Sequence, residues 1–182
     1  LLARGDDAVS RLPRYRGECL LTSHGAGCYT SQAAMKRYNR TNQRLADAAE
    51  RASVVATWLG AAAYPREELR EAWTRFLWHQ FHDDLTGTSI PEAYVFSWND
   101  EAIAQNRFAD LLGSAVGRVA RALDTQGEGV ALVVYNALST PREDVVEATV
   151  RFPVRAPRAV RVSGPDGHDV PAQVVEQDGA TA

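Results

Sequence analysis

The sequence predicts a mainly α-helical protein, in which an antiparallel three-helix bundle is followed by the first strands of a β-sandwich-like domain. Three long stretches repeat apolar residues every three or four positions, which is the period of a helix with one buried face. After Gly129 the apolar period changes to two, which is typical of strands. The connections between the helical stretches are short, and short connections favour an antiparallel bundle.

The first helical stretch runs from about residue 29 to residue 62, and Tyr64-Pro65 ends it because a residue before proline is pushed out of the helical region. Its seam is rich in alanine, so we expect close packing against the neighbouring helices. The cationic segment "KRYNRTNQR" (36–44) is interpreted as a solvated face with ion pairs. The predicted seam follows alternating steps of four and three residues: Ala34, Tyr38, Thr41, Leu45, Ala48, Ala52, Val55, Leu59 and Ala62.

The second and third helices each begin at a proline. The second begins at Pro65, where two following glutamates suit the positive end of a helix, and it continues to the turn "TGTS" (86–89). The third begins at Pro91 and fades at "DTQGEG" (124–129). The apolar stripes that we expect to be buried are Leu69, Ala72, Trp73, Phe76, Leu77 and Phe81 in the second helix, and Ala104, Phe108, Leu111, Ala115, Val119 and Ala122 in the third.

Strand patterns lie mainly after the third helix. The run "VALVVY" (130–135) predicts a buried strand, and the alternation in "VEATVRF" (146–152) predicts another. The segments "AVRV" (159–162) and "VPAQVV" (170–175) flank a turn and predict a hairpin. A short strand is also expected at "ECLLT" (18–22), ahead of the helices.

The overall composition excludes several classes of partner. A net charge of -3 without a Lys/Arg-rich run predicts no nucleic-acid binding. No apolar run approaches the roughly 18 residues of a transmembrane helix, so we expect no membrane segment. Cys19 and Cys28 lack the spacing of a zinc site or a disulfide scaffold and are predicted to be free thiols. The sequence leaves the compartment and the oligomeric state open.

The stretch "HQFHDDLTGTSI" (79–90) carries the densest chemistry of the chain. His79 and His82 are three positions apart on the predicted second helix, so both could ligate one metal ion. No H-E-x-x-H signature accompanies them, and a helix C-terminus favours histidine electrostatically in any case. Spacing alone therefore leaves two interpretations open, and it favours the helix end over the metal site.

Three further polar residues, which could take part in a functional site, have two interpretations each. Asp83 and Asp84 could form a carboxylate pair, but adjacent residues of a helix point about 100° apart, which favours solvated helix-end charges. His24 lies in the glycine-flanked turn "SHGAGCY" (23–29), where a site residue and a surface residue are both reasonable.

Three segments, taken in order, resemble the glycoside hydrolase family 38 α-mannosidases over roughly residues 15–145. They are "GAGCYTSQAAMKRYNR", "YPREELREAWTRFLWHQFHDDLTGTSIPEAY" and "VVYNALSTPREDVVE". The resemblance implies that residues 1–28 are the end of a catalytic-domain region or a linker. It also implies that residues 29–126 are the helical middle domain and that residues 127–182 begin a C-terminal β domain.

The same resemblance implies a function and a set of site residues. Members of this family are retaining glycosidases that hydrolyse terminal α-mannosides of glycans and bind a divalent cation, usually zinc. The histidine before the aspartate of the second-helix motif is a metal ligand, which corresponds to His82, and the aspartate contacts sugar hydroxyls, which corresponds to Asp83. His24 matches a loop near the sugar more weakly, and no ligand role is carried over to His79.

The catalytic carboxylates are expected to lie outside this chain. In the family, the nucleophile, the acid/base and the other three metal ligands come from an N-terminal catalytic domain, so the resemblance implies that domain as a partner. We therefore expect the chain to be inactive alone and to complete an active site in the full-length protein. The alternative is a non-catalytic scaffold or partner-binding module in which His82 and Asp83 only cap a helix.

Overall fold

A computed structural model of the chain describes residues 10–17, 25–152 and 157–177. It confirms the predicted fold class, since the chain is mainly helical and has one small antiparallel sheet near its C-terminus. A short 3-10 helix, Ala26–Tyr29, precedes the main elements. These are α1 (Ala33–Trp58), α2 (Arg66–Trp78), α3 (Pro91–Ala122), β1 (Val162–Ser163) and β2 (Asp169–Val170).

Side-chain hydrogen bonds show the direction in which each helix runs. Asn39, near the start of α1, bonds Gln80 just after α2, whereas Glu50, further along α1, bonds Trp73 within α2. The helices α1 and α2 are therefore antiparallel. Asn42 of α1 bonds Glu101 of α3, while alanines later in α1 pack against residues later in α3, so these two helices run parallel.

Small residues bring the helices close together, and aromatic rings fill the remaining space. The ring of Phe108 lies 5.6 Å from that of Trp73 and 6.4 Å from that of Phe76, both in edge-to-face orientation. The core residues nearer the α2–α3 connection are Ala46, Ala49, Leu69, Ala72, Phe76, Ala104 and Phe108, and those at the opposite end are Ala52, Ala56, Ala115 and Val119. The α2–α3 connection is thus attached to a closely packed core.

The buried face of α1 lies one position away from the predicted seam. The rhythm of three and four is present, but Ala52 is the single residue common to both sets. The prediction gave weight to large apolar side chains such as Leu45 and Val55, which instead flank the core. Close contact with α3 selects small residues, and the buried positions are Met35, Asn42, Ala46, Ala49, Ala52, Ser53 and Ala56.

Two predicted helix ends were wrong. The helix α1 ends at Trp58, because Gly60 adopts a left-handed conformation with φ of 69° and the N–H of Ala61 bonds the carbonyl of Ala56. The helix α2 ends at Trp78 and does not reach the turn at 86–89. The third helix has nearly its predicted extent. Its residues Ala104, Phe108, Ala115 and Val119 are buried as predicted.

The β part differs most from the prediction. Residues 130–135 form no strand and Val134 is 66% exposed, so the predicted buried strand is wrong. In 146–152 the predicted strand is reduced to one isolated β-bridge residue, Arg151. The predicted hairpin is confirmed in a short form, with Val162 opposite Val170 and Ser163 opposite Asp169. The predicted strand at 18–22 lies outside the described residues. Within those residues, no helix is long and apolar enough to cross a membrane.

Candidate functional site

The residues between α2 and α3, 79–90, form a turn-rich connection that we call the motif loop. His79 is the C-cap of α2, and the N–H groups of Gln80 and Phe81 bond carbonyls three residues earlier as the helix tightens and stops. The prediction that His79 and His82 both lie on the second helix is therefore wrong. The alternative that His82 and Asp83 cap this helix is wrong as well, because His79 occupies the cap.

His82 and Asp83 lie on the exposed side of the motif loop. Their side chains are 78% and 46% exposed, and the imidazole Nε2 lies 3.5 Å from the carboxylate Oδ2. Thr88 donates its hydroxyl to the other carboxylate oxygen, Oδ1, at 2.9 Å. The Asp83 carbonyl accepts from the N–H groups of Thr88 and Ser89 at 2.9 and 3.1 Å, and from the Tyr94 hydroxyl at 3.0 Å. An ordered turn thus presents one imidazole and one carboxylate to solvent.

His79 and Asp84 lie on the buried side of the same loop, with 4% and 9% exposure. Nδ1 of His79 lies 2.7 Å from Oδ2 of Asp84, which also accepts from the Ser97 hydroxyl at 3.0 Å. Nε2 of His79 lies 3.4 Å from Oδ2 of Asp100, and Arg75 bonds the other oxygen of that carboxylate at 3.0 Å. Asp84 is therefore not the solvated charge that was predicted.

The start of α1 holds the motif loop from the other side. The Ser31 hydroxyl donates to the Gly87 carbonyl at 2.9 Å. The ammonium group of Lys36 donates to the carbonyls of Ser31, Leu85 and Thr86, the last two at 3.0 and 3.5 Å. Three backbone carbonyls that would otherwise lack partners are thus satisfied by one cation.

These contacts correct the interpretation of "KRYNRTNQR" (36–44) as a solvated face. Arg37 and Arg40 are exposed, as predicted, but Lys36 and Asn39 hold the motif loop, the latter by accepting from Gln80 at 2.8 Å. Sequence reasoning missed these two residues because their partners lie more than 40 positions away.

Gly87 of the motif loop lies close to Ser31, just before α1, and Gly87→Ala is expected to lower the unfolding free energy by about 1–3 kcal/mol. Its φ is 84°, and a Cβ would lie 2.7 Å from Ser31 Oγ and 2.8 Å from its backbone carbon. Chemical denaturation measures the change. Gly113→Ala is the control, because this helical site has no atom within 4 Å of the added Cβ, and a small gain is expected. A Gly87→Ala protein as stable as wild type would contradict the close approach.

The metal-ligating groups of the loop are few. No group of three or more His, Cys, Asp or Glu side chains is placed to hold a metal ion in the ranges that the structure describes. The loop itself brings together His82 and Asp83. Cys28 is a free thiol, as predicted. His24 and Cys19 lie outside the described residues, so their predicted roles remain predictions.

Comparison with known proteins shows the family to which these helices and the motif loop belong. The chain belongs to the alpha mannosidase middle domain family, whose model matches residues 24–119. It is 37% identical to Alpha-mannosidase 2C1 of Homo sapiens over 75 residues, which cover 41% of this chain and 7% of that protein. It is 35% identical to an Alpha-mannosidase of Saccharomyces cerevisiae over 50% of this chain and 9% of that protein. No solved structure matches the chain significantly.

Proposed function

We propose that this chain is the middle domain of a zinc-dependent retaining α-mannosidase and that the motif loop forms one wall of its active site. The observation that carries the proposal is the exposed His82–Asp83 pair on an anchored loop, in a chain of this family. Both curated relatives are α-mannosidases by name, and the aligned stretches cover less than a tenth of each. The substrate proposed for the full-length protein is a terminal α-mannoside of a glycan.

The donor types of the loop fit zinc. Imidazole nitrogen and carboxylate oxygen are both common zinc ligands, and His82 is exposed enough to reach a cation outside the bundle. One or two donors cannot fill a four-coordinate shell, so the remaining ligands are proposed to come from a catalytic domain. A bound cation would supply a Lewis acid and a template for orienting the sugar.

In this proposal Asp83 orients the substrate. One of its oxygens is occupied by Thr88, while the other lies beside the His82 imidazole and remains able to accept from a sugar hydroxyl. The turn fixes the direction of this carboxylate before substrate arrives, which reduces the entropy cost of positioning the ring. The nucleophile and the acid/base, which a retaining enzyme holds about 5 Å apart, are assigned to the catalytic domain.

The surface around the motif loop suits a partner domain. Large apolar side chains are exposed on both sides of the loop, and Trp78 and Phe96 are each 75% exposed. Several large exposed apolar side chains within one short segment are typical of contact sites between proteins or domains. We propose that the catalytic domain of the full-length protein covers it. The residues concerned are Leu77, Trp78, Phe81, Ile90, Val95 and Phe96.

Removal of the metal tests the proposed function directly. The full-length protein is expected to hydrolyse an aryl α-mannoside, to lose most of that activity after dialysis against a chelator, and to regain it with zinc. An aryl β-mannoside serves as the control substrate and should be cleaved slowly, if at all. Turnover that survives metal removal would exclude the metal role, and failure to cleave any α-mannoside would exclude the activity.

A further inference from the structure

The buried pair His79–Asp84 brackets the exposed pair His82–Asp83 in the motif loop. We infer that the hydrogen-bonded His79–Asp84 pair holds the loop in the conformation that presents His82 and Asp83, so that His79 and Asp84 are positioning residues for the candidate site. The relevance of this pair to catalysis rests on the proposed function, whereas its effect on the order of the loop is independent of that function.

Asp84 is the point where three parts of the structure are joined. Its carboxylate accepts from His79 at the end of α2, from Ser97 on α3, and from Ser89 at the end of the loop, at 2.7, 3.0 and 3.3 Å. A carboxylate has no proton to give, so Nδ1 of His79 is the donor. A buried carboxylate without these donors would lose its solvation uncompensated, so the loop is strongly biased toward this arrangement.

The order imposed on Asp84 passes directly to Asp83. The carbonyl of Asp83 belongs to the planar peptide unit that includes the nitrogen of Asp84, so fixing one fixes the direction of the other. That carbonyl accepts from the N–H groups of Thr88 and Ser89, which close the turn. The hydroxyl of Tyr94 lies 3.0 Å from the same oxygen and 3.4 Å from the next carbonyl. Without the hydrogen bonds to Asp84, the turn that orients the Asp83 carboxylate loses its attachment to the bundle.

The two nitrogens of His79 make unequal contacts. The contact of Nδ1 with Asp84 is short, at 2.7 Å, whereas that of Nε2 with Asp100 is long, at 3.4 Å. Asp100 also has a cationic partner in Arg75, at 3.0 Å. The donor at Nδ1 is therefore the one that the loop depends on, and it can be tested separately from the contact at Nε2.

Two substitutions separate the contacts made at the two nitrogens. In His79→Asn the amide nitrogen can replace Nδ1, whereas in His79→Gln the longer side chain places its amide nearer the position of Nε2. Hydrogen exchange of the Thr88 and Ser89 amides in the 182-residue chain is the readout, because both donate to the Asp83 carbonyl. We expect exchange about tenfold faster or more in His79→Gln, and nearly wild-type exchange in His79→Asn. Equal exchange in both variants, or no acceleration in His79→Gln, would overturn the inference.

The activity of the full-length protein is the second readout. His79→Gln is expected to lower kcat/KM for an aryl α-mannoside by about 10–100-fold, and His79→Asn should restore most of it. Val119→Ala is the control, because it weakens the buried core at the end of the bundle opposite the motif loop and should leave kcat/KM unchanged well below the melting temperature. If His79→Gln matches Val119→Ala in an active enzyme, the inference fails. If wild type is inactive, the proposed function fails, and the exchange experiment still decides whether the pair orders the loop.

Discussion

Replacing His82 with alanine in the full-length protein is expected to lower kcat/KM for an aryl α-mannoside by about 100–1,000-fold. The proposed cation stabilises charge in the transition state by several kcal/mol, and each 1.4 kcal/mol corresponds to about a factor of ten in rate. Loss of one of four ligands weakens both the binding and the placement of that cation. Steady-state kinetics and the zinc content of the purified variant measure the two effects.

The exposure of His82 makes this substitution easy to interpret. Its side chain is 78% exposed, so truncation should change the unfolding free energy by no more than about 0.5 kcal/mol. His168→Ala is the matched control, since His168 is also an exposed histidine but lies in the β-hairpin turn. Wild-type turnover and zinc content in His82→Ala would exclude the ligand role, whereas a similar loss in His168→Ala would point to a general effect.

The helices were predictable because helix periodicity is a local property of the sequence. The buried stripe of α3 was assigned from spacing alone, and Ala104, Phe108 and Val119 lie where the pattern placed them. The seam of α1 was shifted by one position because the pattern favours the most apolar side chains. A close approach of two helices instead favours the smallest ones, as at Ala46 and Ala49.

The shape of the site could not be predicted, because long-range contacts determine it. No glycine or proline marks the end of α2 at Trp78. The chain turns there as His79 bonds Asp84 inside the bundle, and Lys36 reaches the loop from 49 positions away. Spacing alone paired His79 with His82, and the family resemblance separated them. The structure agrees with that separation in one respect, since His79 is buried and His82 is exposed.

The strand predictions show a related limit. Alternation in "VEATVRF" (146–152) indicates that a segment can form a half-buried strand, but a strand also needs a neighbour that supplies hydrogen bonds. In the parts of the chain that the structure describes, paired strands occur at Val162–Ser163 and Asp169–Val170. The division into a bundle at 29–126 and a β domain from residue 127 remains a prediction.

The pair Asn42–Glu101 is the most deeply buried polar contact between α1 and α3, and Asn42→Ala is expected to lower the unfolding free energy by about 2–4 kcal/mol. Both residues have 0% exposure, and the Asn42 amide donates to the Glu101 side chain and to its backbone carbonyl. Alanine would leave the Glu101 side chain without this donor and would open a cavity between the helices. Urea denaturation of the 182-residue chain measures the loss.

Glu101 should also make the stability of the bundle depend on pH. Burial raises the pKa of the Glu101 carboxyl above its ordinary value, and this outweighs the hydrogen bond from Asn42, which lowers it. Among its charged neighbours, His79 lowers the pKa, whereas Asp84 and Asp100 raise it. Oε1 of Glu101 and Oδ1 of Asn42 have no hydrogen-bond partner among the described residues, and a proton on the carboxyl supplies a donor where two acceptors lack one.

The sign of the pH effect follows from proton binding. Above the ordinary glutamate pKa the unfolded chain has released this proton, whereas the folded chain still holds it. The stabilisation is therefore complete below the ordinary value and is lost as pH rises through the raised folded value. In Glu101→Gln the amide is neutral at every pH, so this part of the pH dependence should disappear, and the variant should gain stability relative to wild type as pH rises.

Urea denaturation from about pH 4 to pH 8 measures this difference between wild type and Glu101→Gln. Subtracting the two curves removes the contributions of titratable groups that lie far from Glu101. Glu67→Gln is the control, because Glu67 pairs with Arg70 on the exposed face of α2 and should show a nearly constant difference from wild type. A constant difference for Glu101→Gln as well would mean that Glu101 titrates in the folded bundle as it does in the unfolded chain.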